Sequence, residues 1–303
     1  MSNSANERFS GHESFVCRYG WLPKVFKAVC EDPELLRNED RAMVALGIGR
    51  NMVKSIQFWA EASGVLQSMG PRGHTPGPVG SLLFGGRGAL DPYLESLESL
   101  WLIHWQLCTT AGLAAWREVF AEGRLIRFER QRLVEALARR GEGAARPLAA
   151  STLEQHTGIF VQTYYQEERG SDDTSWCPLQ DLGLLQATKE EDGRVMFSAD
   201  PRAPVGLTLR VFGIALVQFM LRRGDGVQSV DFNQLLRGVG SPGLVFRLDE
   251  HQLRVFVENL CNTELAGALR FVDTADTQSV VLNPEHLDPQ FLLQVVEEAY
   301  PHV

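Results

Sequence analysis

A mainly α fold with small β-hairpins, built as repeated helix-turn-helix units of winged-helix type on a helical core, is what this 303-residue chain predicts. Three observations point there. Apolar residues recur at three-and-four spacing in successive segments, glycines punctuate the turns between those segments, and short alternating strands follow the helix pairs.

Residues 9–30 form an entry segment, extended or turning until a helix begins at Leu22-Pro23, where proline suits a first turn. Residues 41–66 then read as two helices. Gly47 and Gly49 bracket Ile48, so the backbone turns tightly and Ile48 drops into the core the two helices share. In the second helix Met52, Val53, Ile56, Trp59 and Ala60 make a buried stripe, while Arg50, Lys54, Gln57 and Glu61 run down the opposite side. Arg50, Asn51, Lys54 and Ser55 are expected on one exposed face, the way a chain offers a helix to DNA. The turn-rich run at residues 70–78, carrying Arg72, would form a wing. Asp91-Pro92 is read as the cap and first residue of a helix reaching through residues 97–107, so apolar on every side that it must be central, with His104 a satisfied core histidine.

Downstream the plan repeats. Helices are expected at residues 129–140 and 151–165, and strands at 184–188 and 194–198 flank an Asp-Gly hairpin turn. A helix at 207–223 precedes a third unit, with helices at 231–237 and 249–262 and strands at 268–272 and 278–282. The chain accordingly divides into residues 1–90, an N-terminal motif plus helix-turn-helix DNA-binding unit; 91–200, a helical core with a second winged-helix-like unit; and 201–303, a C-terminal winged-helix-like unit.

Composition sets outer limits. With 44% hydrophobic and 22% charged residues the chain is folded rather than disordered. Its strongest apolar run, 207–221, is interrupted by Arg210, Gly213 and Gln218, and residues 1–10 are polar rather than signal-like, so a cytoplasmic address without a membrane partner is expected. Cys17, Cys30, Cys108, Cys177 and Cys261 are scattered with no C-x-x-C pair, which predicts reduced thiols in cores and no zinc. No P-loop or dinucleotide fingerprint precedes a helix, so neither ATP nor NAD is expected. The net charge of −9 is unusual for a nucleic-acid binder, but it is unevenly placed. Residues 1–90 hold ten Lys or Arg against eight Asp or Glu, and residues 91–303 nineteen against thirty. Between residues 41 and 90 five bases face Glu61 alone, enough for a local basic surface that binds phosphate weakly and with strong salt dependence.

Phe9-Ser10-Gly11-His12-Glu13-Ser14-Phe15, Arg18, Trp21-Leu22 and Lys24 lead into the Gly47-Ile48-Gly49-Arg50-Asn51-Met52-Val53-Lys54 helix start. With Asp91-Pro92-Tyr93-Leu94, Leu100-Trp101-Leu102-Ile103-His104-Trp105 and Cys177-Pro178-Leu179, they resemble a bacterial family catalogued as a domain of unknown function, the SspB-type DNA nickases of single-stranded DNA phosphorothioation (Ssp) phage-defence systems. The resemblance covers about residues 9–200. It implies nicking of one strand so that sulfur can replace a non-bridging phosphate oxygen. It also implies double-stranded DNA as partner, together with a cysteine desulfurase, an ATP-pyrophosphatase-like protein and an ATPase; a homodimer would be a natural use of two-fold symmetry.

Phosphodiester hydrolysis needs an activated water, stabilised phosphorane charge and a protonated leaving oxygen. The opening motif offers these types: His12 as base or acid, Arg18 and Lys24 on the scissile phosphate, and Glu13 orienting His12 or binding a divalent ion, Mg²⁺ or Mn²⁺. A structural reading stands beside it, because Ser10-Gly11-His12-Glu13 is also an S-x-x-E capping box and Phe15 and Trp21 are natural core residues. No E-x-K carboxylate set, paired-histidine or HKD signature is present, and Glu129-Arg130-Gln131 sits at a helix start where acids are common. Three functions follow: a DNA-nicking endonuclease, a non-catalytic DNA-binding adaptor that positions sulfur-transfer enzymes, and a protein-interaction module.

Overall fold

The structure is a computed structural model and describes residues 7–142, 147–165, 176–200, 203–223, 229–262, 267–274 and 276–283. It is mostly helical, with small antiparallel sheets, as the period of the apolar residues predicts. The buried apolar residues form one contiguous cluster that runs from Phe9 to Leu282.

The first helices are α1 (Trp21–Glu31), α2 (Glu39–Leu46) and α3 (Arg50–Ala62). α2 starts because the Asn38 side chain accepts from the Arg41 N–H and because Glu39 and Asp40 complement the positive end of the helix. It stops because Gly47 enters the left-handed region at φ 63°, which a side chain would resist. α3 follows at once and buries Val53, Ile56, Phe58, Trp59 and Ala60. Strands β1 (Leu66–Ser68) and β2 (His74–Pro76) pair antiparallel, and α4 (Pro78–Phe84) begins on the last residue of the turn-rich run. Proline at its first position and a Val-Gly-Ser-Leu-Leu-Phe run are enough to build that short helix.

α5 (Leu97–Thr109) is the central helix, buried from Ser99 to Cys108. Its cap is Ser96, which accepts from the Glu98 N–H; Asp91, expected in that role, instead accepts from the Glu95 and Ser96 N–H groups one turn earlier. His104 is a core histidine as read, with Nδ1 2.7 Å from the Tyr164 hydroxyl and Nε2 2.9 Å from the Val245 carbonyl. After α6 (Ala114–Trp116) comes one π-helical turn (Arg117–Ala121), then β3 (Arg127–Phe128), α7 (Arg130–Gly141) and α8 (Ala150–Tyr164). β4 (Gln186–Lys189) and β5 (Val195–Ser198) form the expected hairpin, and β3 adds to β5, giving the order β3-β5-β4.

α9 (Leu209–Leu221) is capped by Thr208, and β6 (Ser229–Asp231), α10 (Phe232–Arg237), α11 (Pro242–Val245) and α12 (Glu250–Asn262) precede β7 (Leu269–Asp273) and β8 (Gln278–Leu282). The three strands order as β6-β8-β7. Cys17, Cys108 and Cys177 are buried free thiols as expected, whereas Cys30 is exposed at the polar side of α1. No helix among the described residues is long and apolar enough to cross a membrane.

Candidate nucleic-acid interface

The polar face of α3 starts from its sequence. Every third or fourth residue is apolar, so packing that stripe against α1 and α2 turns Arg50, Asn51 and Lys54 outward, where all three are exposed or half-exposed. Ser55 departs from the expected face. It is fully buried, and its hydroxyl donates to the Phe15 carbonyl at 3.4 Å, which removes it from any surface contact with DNA. The reason is angular: position 55 lies beside Phe58 and Trp59 on the helical wheel, and the Trp59 indole N–H donates to the same Phe15 carbonyl at 2.9 Å.

The cations of this face are not bare. Arg50 donates to Asp40 at 2.9 Å and lies 3.5 Å from Glu39, and Lys54 lies 3.6 Å from Glu39. Counting charges from residue 41 leaves out these two carboxylates, which the first turn of α2 attracts for dipole reasons; that preference was the available signal. Exposed pairs of this kind contribute roughly 0–1 kcal/mol, so incoming phosphates have little to displace.

Arg72 sits at the exposed tip of the β1–β2 hairpin and pairs with no carboxylate among the described residues. The hairpin is fixed to the helices by His74, whose N–H donates to the Pro33 carbonyl at 2.9 Å and whose ring Nε2 lies 2.8 Å from a Glu61 oxygen. Glu61 also accepts from Gln57 at 3.0 Å. Burial pushes the Glu61 carboxyl up, but the hydrogen bonds from His74 and Gln57 outweigh it and hold the group below its ordinary value.

The entry segment takes a different place from the one its chemistry suggested. His12 is buried, stacked on His156 of α8 with Nε2 3.1 Å from His156 Nδ1. The Ala115 N–H donates to His156 Nε2 at 3.3 Å, so the proton of His156 sits on Nδ1 and is given to His12 Nε2. His12 then carries its own proton on Nδ1, a buried atom with no partner among the described residues. Burial, then the charge of Arg8, lowers His12 to about 4; burial, then His12, lowers His156 to about 3. Both rings are neutral at pH 7, and neither faces solvent. His156 escaped the sequence because it lies 144 residues away.

Glu13 is exposed, at φ 49°, and the capping box does not form because residues 10–13 do not start a helix. The Arg18 guanidinium lies over Phe15 and Trp21, 5.4 and 5.7 Å from their centroids, with no carboxylate partner among the described residues. Lys24 donates to the Leu46 carbonyl at 3.3 Å, in the last turn of α2, whereas Arg50 and Lys54 contact its first turn. Among the described residues no three His, Cys, Asp or Glu stand together as ligands for a metal ion, so none of them forms a preformed cluster around Glu13.

The model of a family described as proteins of unknown function, DUF4007, matches residues 9–300. No curated protein matches the chain. Among solved structures, a magnesium ion-bound SspB crystal structure superposes with a TM-score of 0.79 at 22% identity, over 97% of this chain and 99% of that one. A second SspB crystal structure gives 0.79 at 24% identity, over 98% and 88%. What these likenesses show is a shared fold.

Proposed function

We propose that this chain, which belongs to DUF4007, a family of proteins of unknown function, is the DNA-engaging component of a DNA phosphorothioation defence system, binding duplex and nicking one strand. The observation that carries the reading is the outward placement of Arg50, Asn51 and Lys54 on one face of α3, with Arg72 on the hairpin that follows. On this reading α2, α3 and the β1–β2 hairpin act as a winged helix, α3 lies in the major groove and the hairpin tip touches phosphate. The sulfur-transfer setting and its partners, a cysteine desulfurase, an ATP-pyrophosphatase-like protein and an ATPase, are carried over from the resemblance of the opening motif; the fold shared with SspB supports it. Arg18 and Lys24 are the proposed phosphate holders of the nicking step and Glu13 its exposed carboxylate. His12 joins them only if DNA binding separates it from His156.

Supercoiled plasmid incubated with the protein and Mg²⁺ or Mn²⁺ is expected to become open circles. Replacing Arg50, Lys54 and Arg72 together by Ala is expected to reduce duplex affinity and flatten the dependence of log K on log salt by about 0.9 for each phosphate that is no longer neutralised. Unchanged affinity in that variant refutes the interface. One observation favours a second reading, the non-catalytic DNA-binding adaptor: His12 is buried and neutral rather than presented to a phosphate. Duplex binding without strand breakage in either metal would select it.

A further inference from the structure

A cleft of about 390 Å³ opens where α7 begins, lined by Glu129, Arg130, Gln131, Tyr165, Arg194 and Phe197, with Val195 beside them. It exists because β3 is only two residues long: β5 pairs with it, and α7 starts two residues later against the strand's edge. Phe197, buried, is the floor. The Tyr165 ring meets it edge-on at 5.7 Å and 76°, and the Arg130 guanidinium lies 5.6 Å from its centroid.

The charge of the cleft is concentrated on one group. Residues 124–140 carry six arginines against two glutamates, a dense basic stretch in an otherwise acidic part of the chain. Most are neutralised: Arg124 by Glu122, Arg127 by Glu190, Arg132 by Glu135, and Arg140 by Glu7, Glu118 and Glu122. Arg194 holds both Glu129 and Asp192 at 2.6 Å, so the acid that lines the cleft is paired and turned toward Arg194, although the trio keeps one net negative charge. Among the described residues Arg130 has neither a carboxylate nor a hydrogen-bond partner for its guanidinium, which is braced by the Phe197 ring. A planar cation beside an aromatic ring, with the Gln131 amide at the rim, matches a unit that has a π-face, hydrogen-bonding edges and one anion.

We propose that this cleft binds a nucleotide unit of single-stranded nucleic acid, the base stacking on Tyr165 and the phosphate meeting Arg130. An acidic peptide would satisfy Arg130 but would leave Tyr165 and the space beside it unused. The site is separate from the α3 face and stands whether or not that face binds duplex.

The test is fluorescence anisotropy of a fluorescein-labelled 12-nucleotide single strand titrated with the full chain. Tyr165→Ala is expected to weaken binding by about 5- to 100-fold, as removing a stacking ring does, while Tyr165→Phe retains it. Arg130→Ala is expected to weaken binding and reduce the salt slope by about 0.7, and Arg132→Ala, whose cation is paired outside the cleft, to stay within about twofold. Deoxyadenosine monophosphate that competes only in large excess over the unlabelled strand places the unit within a strand. Wild-type affinity in both Arg130→Ala and Tyr165→Ala overturns the proposal. So does loss of the strand by the Arg50, Lys54 and Arg72 triple-Ala variant while Arg130→Ala retains it, and so does displacement by poly-glutamate as effective as by unlabelled strand.

Discussion

Three buried imidazoles make stability depend steeply on pH. Burial holds His12 and His104 at about 4 and His156 at about 3, against an ordinary 6.5 in the unfolded chain. Below pH 6.5 the unfolded state therefore takes up protons that the folded state refuses, so stability declines from pH 7.5 downward and levels off only below the folded values. At pH 5.0 each ring contributes about 2 kcal/mol to that decline, and the three together about 6 kcal/mol, comparable with the roughly 5–15 kcal/mol that holds a typical domain together. Urea unfolding followed by tryptophan fluorescence, at fixed ionic strength between pH 7.5 and 5.0, should show the free energy falling by about this amount. His12→Asn should shrink the decline by about a third, since one titrating ring is gone. A stability profile flat across that window would mean the imidazoles are protonated in place, and the tautomer chain from Ala115 through His156 to His12 would have to be abandoned.

Other outcomes follow from single interactions. Changing Glu39 to Gln and Asp40 to Asn together should raise duplex affinity several-fold at low salt, measured by anisotropy, because Arg50 and Lys54 lose their internal partners. Arg140→Ala leaves Glu7, Glu118 and Glu122 buried without their shared cation and should cost about 3–5 kcal/mol in chemical denaturation. Gly73→Ala places a Cβ 2.2 Å from the Pro33 carbonyl at φ 91°; overpacking of this kind costs about 1–3 kcal/mol, and a melting temperature unchanged from wild type would contradict it.

Helix positions are legible wherever turn residues and period agree, as in α2 and α3, where Gly47 marks the turn and the apolar stripe marks the face, although a start read at residue 41 misses the Asn38 cap. The core role of His104 follows from its apolar neighbours alone. What stays hidden depends on long-range pairing. His12 and Glu13 carry the right chemistry for hydrolysis, yet burial of His12 is decided by α8, and no local spacing announces His156. The Arg130 cleft is equally invisible in sequence, because its floor comes from β5 and its mouth from α7, brought together by a two-residue strand too short to show periodicity. Ser55 misleads for a smaller reason: its polarity suggests the surface, while its angle on the helix and its small size put it in the core.

The entry segment is tied down on both sides. Glu7 and Arg8 fasten it to the π-helical turn, α7 and the backbone at Gly112 and Leu113, and His12 and Ser14 grip α8, while the Phe15 carbonyl is clasped by Trp59 and Ser55 from α3. A helix pair and hairpin joined this way are no tethered ball swinging on a string. If α3 meets duplex as proposed, a tilt of that helix would pull on a short taut strap that has the imidazole pair along it.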